Sequence, residues 1–379
     1  MKNGRLSLHR VYADHASTTP LCDAAWEAMV PFLREEFGNP SSLHSWARRP
    51  REAVAAARAM IAACIGADPE EIFFTSGGTE SDNWVIKGTD GVLMVSAYEH
   101  HAVLNAAASE ESCGRKVVYV RPKVGGYLMP ETLTKRWEAG IGLVSVMMAN
   151  NEIGTINPIK LLADAAHKRG AMFHTDAVQA VGHIPIDVRD LGVDFLSASA
   201  HKFNGPKGIG FLFIRKGLKL KQLIHGGQQE TGLRAGTENV ASIVGMAAAL
   251  KVNCDLMEQN ATHLDALVER LKEGLEGIVD QIVYPGCGVC EQLPGLVSVS
   301  FPGHSAEGLM HLLDIKGIAV STGAACDSKN TKISHVLKAI NVPRAIAEST
   351  IRISLGPENT RQDVDEILTA LKTLLRSPK

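Results

Sequence analysis

Lys202 stands out among the lysines of this sequence. Most lysines are solvated surface residues, but Lys202 follows the apolar run 195–198 in Ser199-Ala200-His201-Lys202 and precedes the glycine-rich turn Gly205-Pro206-Lys207-Gly208-Ile209-Gly210. A lysine amine deprotonated by such a setting can form a Schiff base. Asp176 ends a second apolar run, in Met172-Phe173-His174-Thr175-Asp176-Ala177-Val178-Gln179. A carboxylate partly withdrawn from water there needs a positive partner, and a protonated pyridine nitrogen is one. Capping of a helix that starts at Ala177 is the plainer role. Asn150-Asn151-Glu152 closes a third run, 143–149. Ser76-Gly77-Gly78-Thr79 joins a strand to a helix. Its glycines let backbone N–H groups approach an anion, which the helix N-terminus favours, although such a turn is often only a turn. Cys326 lies among small and polar residues, Gly323-Ala324-Ala325-Cys326-Asp327-Ser328-Lys329, with little to pack a core. That segment reads as a mobile loop presenting a reagent thiol, whereas Cys64 and Cys254 read as buried small hydrophobes.

The elements that must hold these residues are an alternation of strands and helices. Residues 71–75, 91–97, 117–120, 143–149, 172–175, 195–198 and 210–214 read as strands. Helical spacing marks 42–65, stopped by Gly66, then 102–113, and a segment opened by Pro158 and closed by Gly170. This is an α/β pattern with a mostly parallel sheet, whose ligand crevice lies beyond the strand C-termini. Beyond about residue 260 the pattern changes to helix 264–278, strand 296–301, helix 306–315, strands 318–321 and 351–355, and an amphipathic helix 361–375. It reads as a second, smaller α/β domain.

The chain has 379 residues, 45% hydrophobic and 21% charged, with a formal net charge of −2. That balance gives no electrostatic case for nucleic acid or an anionic membrane as a direct partner. Residues 1–10 carry no apolar leader, and runs such as 142–149 are too short to span a bilayer. Seven scattered cysteines read as reduced thiols, so a soluble cytoplasmic protein is expected. Cys287-Gly288-Val289-Cys290 lacks the second pair a zinc site requires and reads as a surface turn, so no metal is expected.

Asp176-Ala-Val-Gln179, Ser199-Ala-His-Lys202, Asn150-Asn-Glu-Ile-Gly154, Arg234-Ala-Gly-Thr237 and Gly323-Ala-Ala-Cys326 together resemble the NifS/IscS-type cysteine desulfurases. These are fold-type-I pyridoxal 5′-phosphate (PLP) enzymes related to the aminotransferases. The resemblance runs from Tyr12-Ala-Asp-His-Ala-Ser-Thr-Thr-Pro20 to the last helix. It implies a large PLP-binding domain over 15–260 with a mostly parallel seven-stranded sheet, and a small domain made of 1–14 with 261–379. It implies that Lys202 carries the cofactor as a Schiff base, that Asp176 pairs with the ring nitrogen, and that Gln179 bonds the ring's phenolic oxygen. His100 would stack on the ring, leaving His101 a bystander. Gly78, Thr79, Ser199 and His201 would hold the phosphate, joined by Thr237 from the partner of a homodimer. Asn151 and Arg352 would fix the carboxylate of L-cysteine, because a guanidinium binds a carboxylate through two parallel bonds. Cys326 would take the sulfur as a persulfide, leaving alanine, and pass it to an acceptor protein, for instance in iron–sulfur cluster assembly. Rival readings are a selenocysteine lyase, an aminotransferase or lyase on the same fold, and a non-catalytic sulfur-relay platform.

Overall fold

The computed structural model describes residues 10–279, 281–286, 288, 290–323 and 333–376. The chain enters through a short strand, β1 (Val11–Tyr12), and a turn that leads to helix Asp23–Arg34. The next helix begins at Arg48 and ends at Ile65, six residues later than expected from 42, after a single 3-10 turn at Ser45–Ala47. Pro50 accounts for the difference. Its ring blocks a helical hydrogen bond and crowds the carbonyl four residues back, so it is tolerated only in a first turn. Val54, Ala57, Ile61 and Ile65 share the buried face, and Gly66, at φ +70°, ends the helix in the left-handed conformation that a side chain disfavours.

Seven strands build the central sheet: β2 (Ile72–Thr75), β3 (Val92–Ser96), β4 (Val117–Val120), β5 (Ile141–Ser145), β6 (Met172–Asp176), β7 (Phe195–Ser199) and β8 (Gly210–Ile214). Their order is β2-β8-β7-β6-β5-β3-β4. β8 runs antiparallel to both neighbours and every other pairing is parallel. Alternate side chains divide between two cores. Phe74, Met94, Val144 and Leu196 enter one, while Phe73, Leu93, Leu143 and Phe195 enter the other. Both faces are therefore covered, which is why these strands read as continuous apolar runs. The ladder of β5 stops at Ser145, short of the expected 149. The amides of Val146 and Met148 nevertheless donate to the carbonyls of His174 (3.1 Å) and Asp176 (2.8 Å) before the chain turns. β4 lies outside β3, whereas β5 returns to the other flank of β3, so the strand order reverses between β3 and β5. Open α/β sheets bind ligands at such a reversal, beyond the strand C-termini.

A further core joins Val11 and Ala13 to Leu267, Leu271, Val299, Ile351, Ile353 and Leu371. It surrounds β9 (Leu296–Ser300), β10 (Ile318–Ala319), β11 (Ser321–Thr322) and β12 (Thr350–Ser354). β11-β12-β9 form an antiparallel sheet, and β10 pairs in parallel with β1. Helix Met257–Glu276 begins before the expected 264, because Leu264, Leu267, Leu271 and Leu275 are its buried stripe and nothing ahead of them is buried. Among the described residues no single helix is long and apolar enough to cross a membrane.

Candidate active site

The ends of β6 and β7 open into a cavity of about 540 Å³. Asp176 closes β6 and is 4% exposed. The Val178 N–H donates to its Oδ1 at 2.9 Å. Burial pushes its pKa up to about 6, against the Val178 bond and the Lys202 charge, which pull it down. Lys202 ends the 3-10 turn Ala200–Lys202 that follows β7. Its Nζ donates to the carbonyls of Ala16 (2.7 Å) and Ser17 (2.8 Å). The same cavity thus receives an amine and a desolvated carboxyl.

Helix Gly78–Gly88 starts on the cavity wall. Gly77 sits at φ +147°, and a Cβ on Gly78 would lie 2.5 Å from Val178 Cγ2. Glycine is therefore required at Gly78 for close approach of the chain. The first N–H groups of a helix have no intrahelical partner, and the positive end of its dipole favours an anion. His201 Nδ1 lies 3.2 Å from Thr18 Oγ1, and burial, then the Lys202 and Lys207 charges, lower its pKa to about 4. His100 caps helix His101–Ser112, where its Nδ1 accepts the Ala102 N–H at 3.1 Å. Burial, then Lys202 and His101, lower its pKa to about 4. Both imidazoles are neutral at pH 7, and the cap leaves the His100 proton on Nε2. Gln179 Nε2 donates to the Ala16 carbonyl at 2.9 Å. Arg352, on β12, donates through Nη1 to the Asn151 carbonyl (2.8 Å) and through Nη2 to Asp14 Oδ1 and Ser17 Oγ (2.7 Å each). Its buried Nε has no partner.

Residues 11–367 match the aminotransferase class-V family. The cysteine desulfurase IscS of Dictyoglomus turgidum is 45% identical over 372 residues, 96% of this chain and 94% of that protein. The chain belongs to the class-V aminotransferase family, in its cysteine desulfurase branch. A solved structure of a NifS-like protein agrees at a TM-score of 0.91 and 39% identity, covering 97% of this chain and 99% of that one. The structure of SspA in complex with cysteine agrees at 0.80 and 34%, covering 92% and 100%. The family cofactor, PLP, is the cofactor of this chain.

The residues of the cavity fit that group. A buried carboxyl raised by desolvation is the complement of a protonated ring nitrogen. The Gly77-Gly78 turn at a helix N-terminus is the complement of a phosphate. The Lys202 amine faces the same space. Of the expected site residues that are described, all but Thr237 line this cavity. Thr237 is exposed and lies outside it. Cys326 and Cys287 lie outside the described residues, but Gly323, three positions before Cys326, is on the cavity wall.

Several residues of the site went unread in the sequence. Asp82 faces the cavity, 3.6 Å from His174 Nε2 and beside the Ser197 hydroxyl. Burial, then the Asp176 charge, raise its pKa well above the carboxylate range. His174 lies between Ser145 Oγ (2.8 Å) and Ser197 Oγ (3.0 Å), and burial lowers its pKa to about 3. Glu99 accepts the Met147 N–H at 2.7 Å, and burial lifts its pKa to about 8. Glu99 and His174 are accordingly neutral at pH 7, the shift at Asp82 favours its protonated form, and Asp176 carries the negative charge. Glu152 accepts the Ser334 hydroxyl, and a Cβ on Gly323 would meet its Oε2. One carboxylate thereby touches the chain just before and just after 324–332. The sequence signal for His174 was available: it lies two residues before Asp176, on the same face of β6.

Proposed function

We propose that this cysteine desulfurase takes sulfur from L-cysteine onto Cys326 as a persulfide and delivers it to an acceptor protein. The observation that carries the reading is one cavity lined by Lys202, Asp176, the Gly78 helix start and Arg352, with Gly323 on its wall.

Asp176 would keep the ring nitrogen protonated, and the Gly78 helix start, with Thr79, Ser199 and His201, would hold the phosphate. Neutral His100 would pack on the ring, and Gln179 would donate to its phenolic oxygen. When bound there, PLP acts as an electron sink for charge developing at the substrate α-carbon. Arg352 and Asn151 orient the substrate carboxylate. The Lys202 amine, on the wall of the same cavity, would take the substrate α-proton and return it. The Cys326 thiolate attacks the substrate sulfur. The new S–S bond forms as the C–S bond breaks, its electron pair passes to the carbon side, and that side leaves, after protonation, as L-alanine. Cys326 keeps the sulfur as a persulfide until an acceptor thiol removes it.

The active form we infer is a homodimer. Trp26, Leu33, Phe37 and Trp46 are 54%, 52%, 68% and 61% exposed, an apolar area suited to a second copy of the chain. Thr237, exposed and away from its own cavity, would reach the partner's phosphate. The separate core around Val11, Ala13 and the C-terminal strands favours a small domain of 1–14 with 261–379 beside a large one of 15–260. Among the described residues Cys22, Cys64, Cys113 and Cys254 are in no disulfide, which suits the reducing cytoplasm.

The test is release of L-alanine and sulfide from L-cysteine with a thiol reductant, in the wild type and Cys326→Ala. Turnover that disappears in the variant, with the cofactor's visible band intact in both, is expected. Sulfide release that survives the substitution would overturn the persulfide step.

A further inference from the structure

The Asp14–Thr18 turn touches the working side chains of the site from outside the main sheet. Its carbonyls hold Lys202 and Gln179, Thr18 meets His201, and Asp14 and Ser17 meet Arg352. The Arg352 contact is the informative one. Arg352 and Ser17 line the cavity, whereas Asp14 stands behind Arg352, outside the cavity wall. The Arg352 side chain is 6% exposed and that of Asp14 is 20% exposed. The guanidinium is therefore oriented and charge-paired before any ligand arrives. Its partnerless buried Nε shows that donor capacity remains for something else.

We propose that Asp14 is a positioning residue of the carboxylate subsite that tunes its affinity through Arg352. It fixes the guanidinium and cancels much of its charge, so the subsite recognises an α-carboxylate by geometry and holds it loosely. The inference rests on the proposed role of Arg352 in binding the substrate carboxylate. Its chemical logic follows from the reaction. Substrate and product share the same α-amino and α-carboxylate groups and differ in the sulfur that has been removed. A bare buried guanidinium would bind both tightly and equally, which slows product departure without favouring the transition state. A carboxylate behind the guanidinium weakens both by like-charge repulsion.

The experiment compares wild-type holoenzyme with Asp14→Asn, which keeps an acceptor for Nη2 and removes the charge. L-alanine affinity is read from the change in the cofactor's visible spectrum, and kcat and KM are measured for L-cysteine. Asp14→Asn is expected to bind L-alanine about tenfold more tightly and to lower KM by a similar factor without raising kcat. Cysteamine, which lacks the carboxylate, is expected to bind both proteins alike. Unchanged or weaker alanine binding, or an equal gain for cysteamine, would overturn the proposal and leave Asp14 a structural tie. Should Asp14→Asn not retain cofactor, Asp14→Ser is expected to show the same gain, and loss of cofactor in both would equally overturn it. A wild type that binds alanine but releases no sulfide would instead sink the desulfurase reading and leave the alanine comparison standing.

Discussion

Asp176→Asn separates the cost of burying this carboxyl from its use. Lifting its pKa from 3.8 to about 6 corresponds to about 3 kcal/mol, at about 1.36 kcal/mol per pH unit. The folded protein without cofactor binds this proton more tightly than the unfolded chain does. The stabilisation is therefore fully present below pH 3.8 and is lost as the pH rises through about 6. About 2 kcal/mol of the loss falls between pH 4.5 and 7.5. Asparagine has no proton to exchange, so the variant stripped of cofactor should lack that part of the pH dependence. At pH 7.5 it should be more stable than the wild type. Urea unfolding of both stripped proteins at the two pH values measures the difference, in which groups that do not interact with Asp176 cancel. Added PLP should then stabilise the wild type at pH 7.5 far more than the variant, because only Asp176 offers the ring nitrogen a carboxylate. Parallel stability curves for the two proteins would refute the reasoning, since they would mean that Asp176 is not desolvated.

Gly78→Ala places a methyl group 2.5 Å from Val178 Cγ2 and should weaken PLP binding at least tenfold in a spectral titration (an order-of-magnitude expectation for a strained anion site). The double variant with Val178→Ala removes the collision and should recover most of the affinity. Trp26→Asp with Phe37→Asp should convert a dimer to a monomer in sedimentation. A wild type already sedimenting at the mass of one chain would remove the dimer and the proposed role of Thr237.

The local features were legible because local physics sets them. Gly66 ends its helix as its left-handed φ requires, and the seven strands of the sheet fall where apolar runs had marked them. Two of the longer helices were not legible. Helix Val240–Asp255 is buried on most sides and rich in alanine, so it carries no amphipathic period. Helix Asp23–Arg34 buries Ala25 while leaving Trp26, Val30 and Leu33 exposed, which inverts the expected stripe. The start of helix Arg48–Ile65 was misread because Pro50 limits a turn through its ring, a constraint that composition alone does not register.

By itself the sequence determined which residues end buried strands, and hence that Asp176, Lys202 and the Gly77-Gly78 turn would share one end of a sheet. Alternation of apolar and polar residues is a one-dimensional property, and strand C-termini in a parallel sheet must coincide. Only the tertiary structure decided that Arg352 and Asp14, 338 positions apart, would meet beside Lys202. It also decided that Glu99 and His174 would lie neutral, and Asp82 with a raised pKa, around Asp176. Those outcomes depend on burial and on distances between chain segments far apart in sequence. Desolvation is a property of what surrounds a group on every side, and no window along the chain contains it.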